Sequence, residues 1–218
     1  MKKQLLNGAI AAILGTTAAL PAMAYQAGDM VLRAGLAGVL PTGDGSLAPA
    51  LPTGGVEADD GYSLGITFTY MATDNIGVGI LGAWPFSHDV EGTGAIAGAK
   101  VAEVEHLPPT VTLQYHFDTA SKLHPYVGAG INYTNFIEVD ENPAVLLGDS
   151  LDLDDSWGFA LEAGVDYELQ NDWSVGAAVW WIDIDTDATI TGAATGLAGT
   201  YDVEIDPWVF MLSVGKKF

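Results

Sequence analysis

The feature that most constrains this chain is a strict alternation of large apolar residues with small or polar ones. In residues 62–71, Tyr62, Ile66 and Tyr70 belong to an apolar set that falls on one face of an extended strand. The opposite face carries serine, glycine, threonine and one methionine. Because successive side chains of a strand point to opposite sides, this alternation predicts a β-strand with one apolar face. Aromatic residues at both ends of that face are typical of strands in membrane-spanning barrels.

The same alternation recurs and predicts eight strands, an even number as in single-chain bacterial barrels. The strands are expected near residues 30–38, 62–71, 76–86, 106–117, 127–134, 156–167, 173–181 and 208–218. The connections alternate between short turns and long Gly- and Asp-rich stretches, which we expect to be flexible loops, at residues 39–61, 88–103, 137–155 and 186–204. We therefore predict an all-β fold, an eight-stranded antiparallel transmembrane β-barrel with short periplasmic turns and long extracellular loops.

Composition agrees with a membrane location and excludes several functions. Charged residues make up 16% of the chain, against roughly 25% in soluble domains. A net charge of −21 leaves no basic surface for nucleic acid, and the absence of cysteine excludes disulfides. A soluble lipocalin-like barrel is the alternative fold. It would turn its apolar residues inward, whereas the bulky apolar face here is too large for the interior of a small barrel.

The N-terminus has the three parts of a secretory signal peptide. Lys2 and Lys3 precede an apolar stretch from Ala9 to Leu20, and a small-x-small site ends at Ala24. We predict that residues 1–24 are removed and that residues 25–218 form one barrel domain, exported through the periplasm to the bacterial outer membrane. An N-terminal membrane anchor is the alternative, but the apolar run is shorter than the roughly 20 residues that a spanning helix needs.

Several of these strands are similar to those of a known family. The matching stretches are FTYMATDNIGVGIL (68–81), HLPPTVTLQYHF (106–117), PYVGAGINYT (125–134), DSWGFALEAGVDYELQNDW (155–173), WIDIDT (181–186) and DPWVFMLSVGKKF (206–218). In these stretches the chain resembles the OmpW family of outer-membrane proteins. The resemblance implies eight strands, a narrow interior and uptake of small hydrophobic molecules, including alkanes in some members. Phe218, an aromatic C-terminus in phase with the lipid-facing residues, is expected to engage the barrel-assembly machinery.

Polar residues on the inward face near the periplasmic end form one candidate site. The set comprises Arg33, Glu162, Asp166 and His116. Unpaired charge in a confined interior is unfavourable, so Arg33 should pair with Glu162 or Asp166. Such a cluster is either a plug against aqueous leakage or a purely structural ion-pair network.

A second candidate site consists of apolar residues that are expected to face the interior in the extracellular half of the barrel. It comprises Leu81, Pro85, Pro108, Trp180, Ile182 and Ile184, with Leu81 and Trp180 as the expected constriction. These residues either line a channel for a hydrophobic ligand or simply fill the barrel. Because proline donates no backbone hydrogen bond, Pro108 and Pro109 indicate a break in strand pairing, either an exit through the wall or a simple bulge.

These features favour a barrel that conducts small hydrophobic molecules through a narrow apolar interior with a lateral exit. A structural or receptor barrel that acts through its loops is the alternative. No enzyme is predicted, because the adjacent Ser87 and His88 point opposite ways in a strand. No metal or cofactor is predicted either, since the histidines lack zinc spacing and Asp183, Asp185 and Asp187 fit a solvated acidic rim. The expected partners are the lipid bilayer, lipopolysaccharide and small hydrophobic solutes.

Cleavage after Ala24 gives the first testable prediction. Protein isolated from outer membranes should begin at Tyr25, as read by N-terminal sequencing and intact mass. Replacing Ala24 with a bulky residue should leave the precursor uncleaved, because the cleavage site requires small residues. A mature chain that retains Lys2 and Lys3 would contradict the signal-peptide assignment.

Overall fold

The computed structural model describes residues 25–218, and the predicted signal peptide lies outside this range. The strands and one short helix are β1 (Met30–Leu40), β2 (Gly45–Ser46), β3 (Gly54–Ala58), β4 (Gly61–Met71), β5 (Ile76–Ala83), β6 (Phe86–Gly94), β7 (Lys100–Leu107), β8 (Thr110–His116), β9 (Leu123–Glu141), α1 (Pro143–Leu146), β10 (Ser150–Leu153), β11 (Ser156–Glu168), β12 (Trp173–Ile182), β13 (Asp185–Thr191), β14 (Gly199–Glu204) and β15 (Trp208–Lys217). No helix in this part of the chain is long and apolar enough to cross a membrane.

Eight of the strands form a closed antiparallel ring. Around the ring the order is β1, β4, β5, β8, the first half of β9, β11, β12 and β15. The last strand then pairs with the first, with Leu36 opposite Leu212 in the middle of the ladder. The predicted eight-stranded barrel is confirmed, and the eight predicted strands correspond to these eight.

The outer surface of the ring is apolar, as the alternation predicted. Leu36, Leu64 and Leu212 are each more than 60% exposed, although they are large hydrophobic side chains. Tyr62, Trp84 and Trp157 mark an aromatic girdle toward the outer end of the ring. Such a band is the surface that a bilayer covers, because lipid chains replace water as the solvent there.

The long connections are built largely of strands. A second antiparallel sheet continues above the girdle, and it contains β2, β3, β6, β7, the second half of β9, β10, β13 and β14. In these segments apolar residues face inward and acidic residues face outward, which is the reverse of the arrangement in the ring. In β14, for example, Asp202 and Glu204 are exposed whereas Tyr201 is buried. The expectation of flexible loops therefore missed an extracellular extension of the barrel wall, with its own apolar interior.

The turns at the opposite end are tight. Between β11 and β12, Asn171 and Asp172 both have positive φ angles, of 59° and 61°. They are the central residues of the turn from Gln170 to Trp173, in which Trp173 N donates to Gln170 O. Positive φ at both central positions is the requirement of a type I′ turn, whose twist matches that of the strands. Short turns at one end and a tall extension at the other give the barrel its predicted polarity.

The exposed apolar band generates a prediction on stability. Ile66 lies midway between Tyr62 and Tyr70 on the lipid-facing side of β4, so Ile66→Arg places a charge near the centre of the bilayer. The free energy of unfolding in lipid vesicles should fall by about 2–4 kcal/mol. The matched variant Tyr62→Arg, at the girdle, should lose less than about 1 kcal/mol. Urea titrations that read tryptophan fluorescence measure both. Equal losses at the two positions would contradict this placement of the bilayer.

Candidate functional site

A layer of charged and polar side chains closes the interior near the periplasmic end. Arg33 on β1 and Asp166 on β11 form an ion pair, with Arg33 Nε donating to both carboxylate oxygens at 3.0 Å. Arg33 is 3% and Asp166 1% exposed. Tyr25 OH also donates to Asp166 Oδ2 at 2.8 Å. The guanidinium lies over the ring of Tyr126, 5.3 Å from its centroid. Arg33 is therefore satisfied from several strands at once.

Glu162, the other predicted partner of Arg33, has different neighbours. Its Oε2 accepts hydrogen bonds from Thr112 Oγ1 at 2.6 Å and from Gln114 Nε2 at 2.9 Å. Gln114 Oε1 in turn lies 3.1 Å from His116 Nε2. The four predicted plug residues thus belong to one buried polar layer, but the direct ion pair is Arg33 with Asp166.

An apolar stack lies directly above this layer. Trp180 is opposite Glu162 in the β11–β12 ladder, so it marks the boundary between the polar layer and the apolar stack. Leu81, Trp180, Ile182 and Ile184 are all less than 7% exposed and belong to one hydrophobic cluster with Phe86 and Met211. Pro108 is buried and Pro85 half-buried in the neighbouring wall. The structure brings Leu81, Trp180, Ile182 and Ile184 together as a packed stack, with the two prolines outside this cluster. The contact of the predicted channel residues with a ligand stays a prediction.

The open space lies higher, inside the extracellular extension. A cavity of about 100 Å³ lies there, and its wall is almost wholly apolar. Its lining includes Leu47, Val56, Val104, Phe136, Leu146, Leu151, Ile190, Tyr201 and Val203. None of the six predicted channel residues lines it. The alternation of apolar residues with acids in β13 and β14 was the signal that would have revealed these strands.

The barrel wall is interrupted at the level of the outer girdle. The ladder between β5 and β8 ends at Leu81 and Thr110. Pairing across the same boundary resumes only at Phe86 and His106, between β6 and β7. Residues 82–85 stay attached to β4 through Trp84 N, which donates to Leu64 O, while Tyr133 N donates to Pro109 O on the far side. The predicted break at the proline pair therefore lies between residues 82–85, which remain hydrogen-bonded to β4, and the proline pair, which remains hydrogen-bonded to β9.

Two histidines at the cavity were missed as a pair by sequence reasoning. His88 and His106 stack with ring centroids 4.9 Å apart, and both line the cavity. His106 also packs against Phe86 and Phe136, at centroid distances of 5.8 and 6.1 Å. The two rings come from the neighbouring strands β6 and β7 of one hairpin. The sequence analysis assigned residues 88–103 to a loop, so it did not reveal that the two histidines meet.

Acidic residues cluster at the outer rim. Carboxylate oxygens of Asp183, Asp185 and Asp206 lie within 4.8 Å of one another. Partial burial and then the neighbouring carboxylates, Asp183 foremost, raise the pKa of Asp185. Asp206 Oδ1 accepts the backbone N–H of Ile184 at 3.1 Å, so this carboxylate also has a structural role. Asp183 and Asp185 lie at the rim, while the expectation that these acids are solvated and bind no metal stays a prediction.

Comparison with known proteins places the chain among outer-membrane barrels. The model of the OmpW family matches residues 26–218. Outer membrane protein W of Escherichia coli (strain K12) is 48% identical over 203 residues, which cover 90% of this chain and 92% of that protein. The crystal structure of the outer membrane protein OprG from Pseudomonas aeruginosa superposes with a TM-score of 0.82 at 41% identity, covering 89% of this chain and 97% of that one. A more distant relative is the dibenzothiophene metabolism operon protein PahQ of Pseudomonas aeruginosa, 28% identical with 77% of each chain covered.

The polar layer generates a prediction on ion leakage. Arg33→Ala leaves Asp166 without its cation and removes the side chain that fills the layer, so ion conductance across planar bilayers should rise. Stability should fall by about 3–5 kcal/mol, the usual cost of breaking a buried ion pair from one side. Lys217→Ala is the matched control, because Lys217 pairs with Asp29 at 3.7 Å at the rim. Unchanged conductance in a correctly inserted Arg33→Ala barrel would contradict the plug, and the ion pair would then have only a structural role.

Proposed function

The chain belongs to the OmpW family of outer-membrane barrels, and from that premise we propose that it admits small hydrophobic molecules into the outer membrane. A solute would enter the extracellular cavity, pass along the apolar stack and leave sideways through the wall into the bilayer. The observation that carries this proposal is the order of the interior. An apolar cavity lies above an apolar stack, and the stack ends on a buried charged layer that an apolar molecule cannot favourably cross.

The break in the wall supports a lateral exit. Leu81 and Phe86 flank the stretch 82–85, which pairs with β4 but has no ladder partner on the β8 side, and both belong to the apolar stack. The gap is at the height of Trp84, where the outer surface meets the membrane interface. A molecule leaving there moves from one apolar environment to another, so it avoids the unfavourable transfer into water. The name of the relative PahQ links that protein to the metabolism of dibenzothiophene, an apolar aromatic compound.

Comparing two solutes tests the proposal. In a bacterium that lacks other barrels of this type, the protein should accelerate uptake of octane and leave uptake of a small sugar unchanged. Trp180→Ala should raise octane uptake further, because it removes the largest side chain of the stack. That variant should also lose about 3–5 kcal/mol of stability, so its insertion must be checked by gel mobility. No effect on octane from a correctly inserted wild-type barrel would favour a receptor role for the extracellular extension.

A second arm of the same experiment addresses the exit. Replacing Pro108 and Pro109 with valine and threonine restores two backbone N–H donors, so pairing between β5 and β8 can extend across the gap. Octane uptake should then fall, while membrane insertion stays normal. Pro125→Val, at the periplasmic end of β9, is the matched control. Equal octane uptake by wild type, the variant at Pro108 and Pro109, and Pro125→Val would show that the lateral exit is wrong.

A further inference from the structure

The side chain of Tyr25 lies across the periplasmic mouth of the ring. It packs against Val31 on β1 and Met71 on β4 in a small apolar cluster. It also contacts His116 on β8 and His124 on β9, at ring-centroid distances of 4.9 and 5.5 Å. Its hydroxyl group donates to a buried carboxylate on β11. One side chain therefore touches five of the eight strands, which is possible only near the barrel axis.

The residues behind Tyr25 indicate that its ring closes the mouth. Val31 and Met71 are apolar and face the interior at the periplasmic end, yet they are only 1% and 0% exposed. The inward face of such a barrel is usually polar, so these two residues need a cover. The pocket beside the Tyr25 ring has a volume of about 20 Å³, room for about one water molecule. Without the ring, water would reach both apolar residues and the Arg33–Asp166 pair.

Residues 25–29, here called the strap, connect this ring to the start of β1. Gly28 N donates to the backbone of β4 at 2.8 Å, which attaches the strap at that point. Gly28 has a φ angle of 97°, a left-handed conformation that glycine adopts without strain, and this lets the chain turn from the interior toward β1. Before Gly28 the strap is held by Ala27 N, which donates to Asp74 Oδ1 at 2.9 Å, and by the hydroxyl of Tyr25.

The strap can leave its position without disturbing the sheet. Gln26, Ala27 and Gly28 are exposed, so the buried part of the segment before β1 is essentially the side chain of Tyr25. Terminal segments are poorly ordered unless they are tied down, and regions with few buried contacts open at a low free energy. By the predicted cleavage after Ala24, Tyr25 is the first residue of the mature chain. Its withdrawal therefore moves no strand of the ring.

We propose that the strap is a gate at the periplasmic mouth, closed while Tyr25 is hydrogen-bonded to Asp166 and open when residues 25–27 swing out about Gly28. Opening admits water and small ions from the periplasm to the polar layer. There they weaken the pair that Asp166 forms with Arg33, because water screens charges far better than a protein interior does. The gate acts at the polar end of the interior, so it goes beyond the proposed function and does not depend on the route of an apolar solute.

Thiol accessibility measures the opening of this gate. The chain contains no cysteine, so Val31→Cys introduces a single small apolar thiol behind the Tyr25 ring. Protein purified from outer membranes is placed in lipid nanodiscs and treated with a charged methanethiosulfonate, and its intact mass is followed over time. Tyr25→Phe keeps the ring but loses a hydrogen bond to a carboxylate, so labelling should be about ten- to a hundredfold faster. Tyr25→Ala should label at the rate of an exposed thiol.

Control variants separate the strap from its ring and from general loosening. Asp74→Ala leaves Tyr25 unchanged but removes the acceptor of Ala27 N, so labelling should be about three- to tenfold faster. Gln26→Ala, a change at an exposed neighbouring side chain, should leave the rate unchanged. A thiol at Ala37→Cys lies farther along β1 in the apolar stack and should stay protected in every background. Equal acceleration at Ala37→Cys would mean that the whole barrel loosens, which would contradict a local gate.

The remaining outcomes are equally decisive. If Val31→Cys reacts as fast in the otherwise wild-type chain as in Tyr25→Ala, Tyr25 does not close the mouth. If the thiol stays unreactive in Tyr25→Ala, other side chains close it, and the gate is again wrong. Acceleration in Tyr25→Ala alone would make the ring a fixed part of the interior and overturn the movable strap. Octane uptake should be the same in Tyr25→Ala as in wild type, so failure of the proposed function would be seen separately.

Discussion

Closure of the ring by the β1–β15 ladder is the constraint on which the rest of this structure depends. In a bilayer no water satisfies an open strand edge, so each membrane-level strand must have a neighbour on both sides. Here the first and last strands of the chain supply the final pair, from Val31 with Lys217 to Leu40 with Trp208. Eight strands enclose an interior just wide enough for side chains. A narrow interior leaves little room for water, so Arg33 must meet its carboxylate across the lumen and large apolar side chains must fill what remains.

The interior is ordered by polarity along the barrel axis. The charged layer lies toward the periplasm, the apolar stack lies above it, and the cavity lies beyond the girdle in the extracellular extension. At bilayer level Trp180 and Met211 fill the ring, whereas the wall of the extension is lined partly by small residues such as Ala58 and Ala188. The interior cavity is therefore found where the wall no longer faces lipid. The break beside Pro108 lies at the level of the girdle, between the β5–β8 ladder of the ring and the β6–β7 ladder of the extension.

The residues on the outward face of the wall change with the surrounding medium, from apolar beside lipid to acidic in water. The alternation of inward-facing and outward-facing residues continues unchanged from the ring into the extension. Along β12 and β13, Ile182 and Ile184 face inward and are completely buried. Trp181 faces outward at the girdle, opposite Trp208, and the next outward residues are Asp183 and Asp185. Within two residues the outer surface changes from one suited to lipid to one suited to water. Much of the net charge of −21 is explained in this way, because the extension is a wall of apolar-inward, acid-outward strands.

Local periodicity sufficed to predict the eight membrane strands, the tight turns and the inward placement of Arg33 and Trp180, because a side chain's face depends only on its position in its own strand. It did not reveal the extension, since segments rich in glycine and aspartate were interpreted as loops although Ala188 and Ile190 alternate with polar neighbours. Local periodicity could not predict which residues of different strands contact one another. Asp166 rather than Glu162 pairs with Arg33, and His88 meets His106, because the register between strands follows from ladder pairing and ring closure. Those are properties of the assembled sheet, and no single segment encodes them.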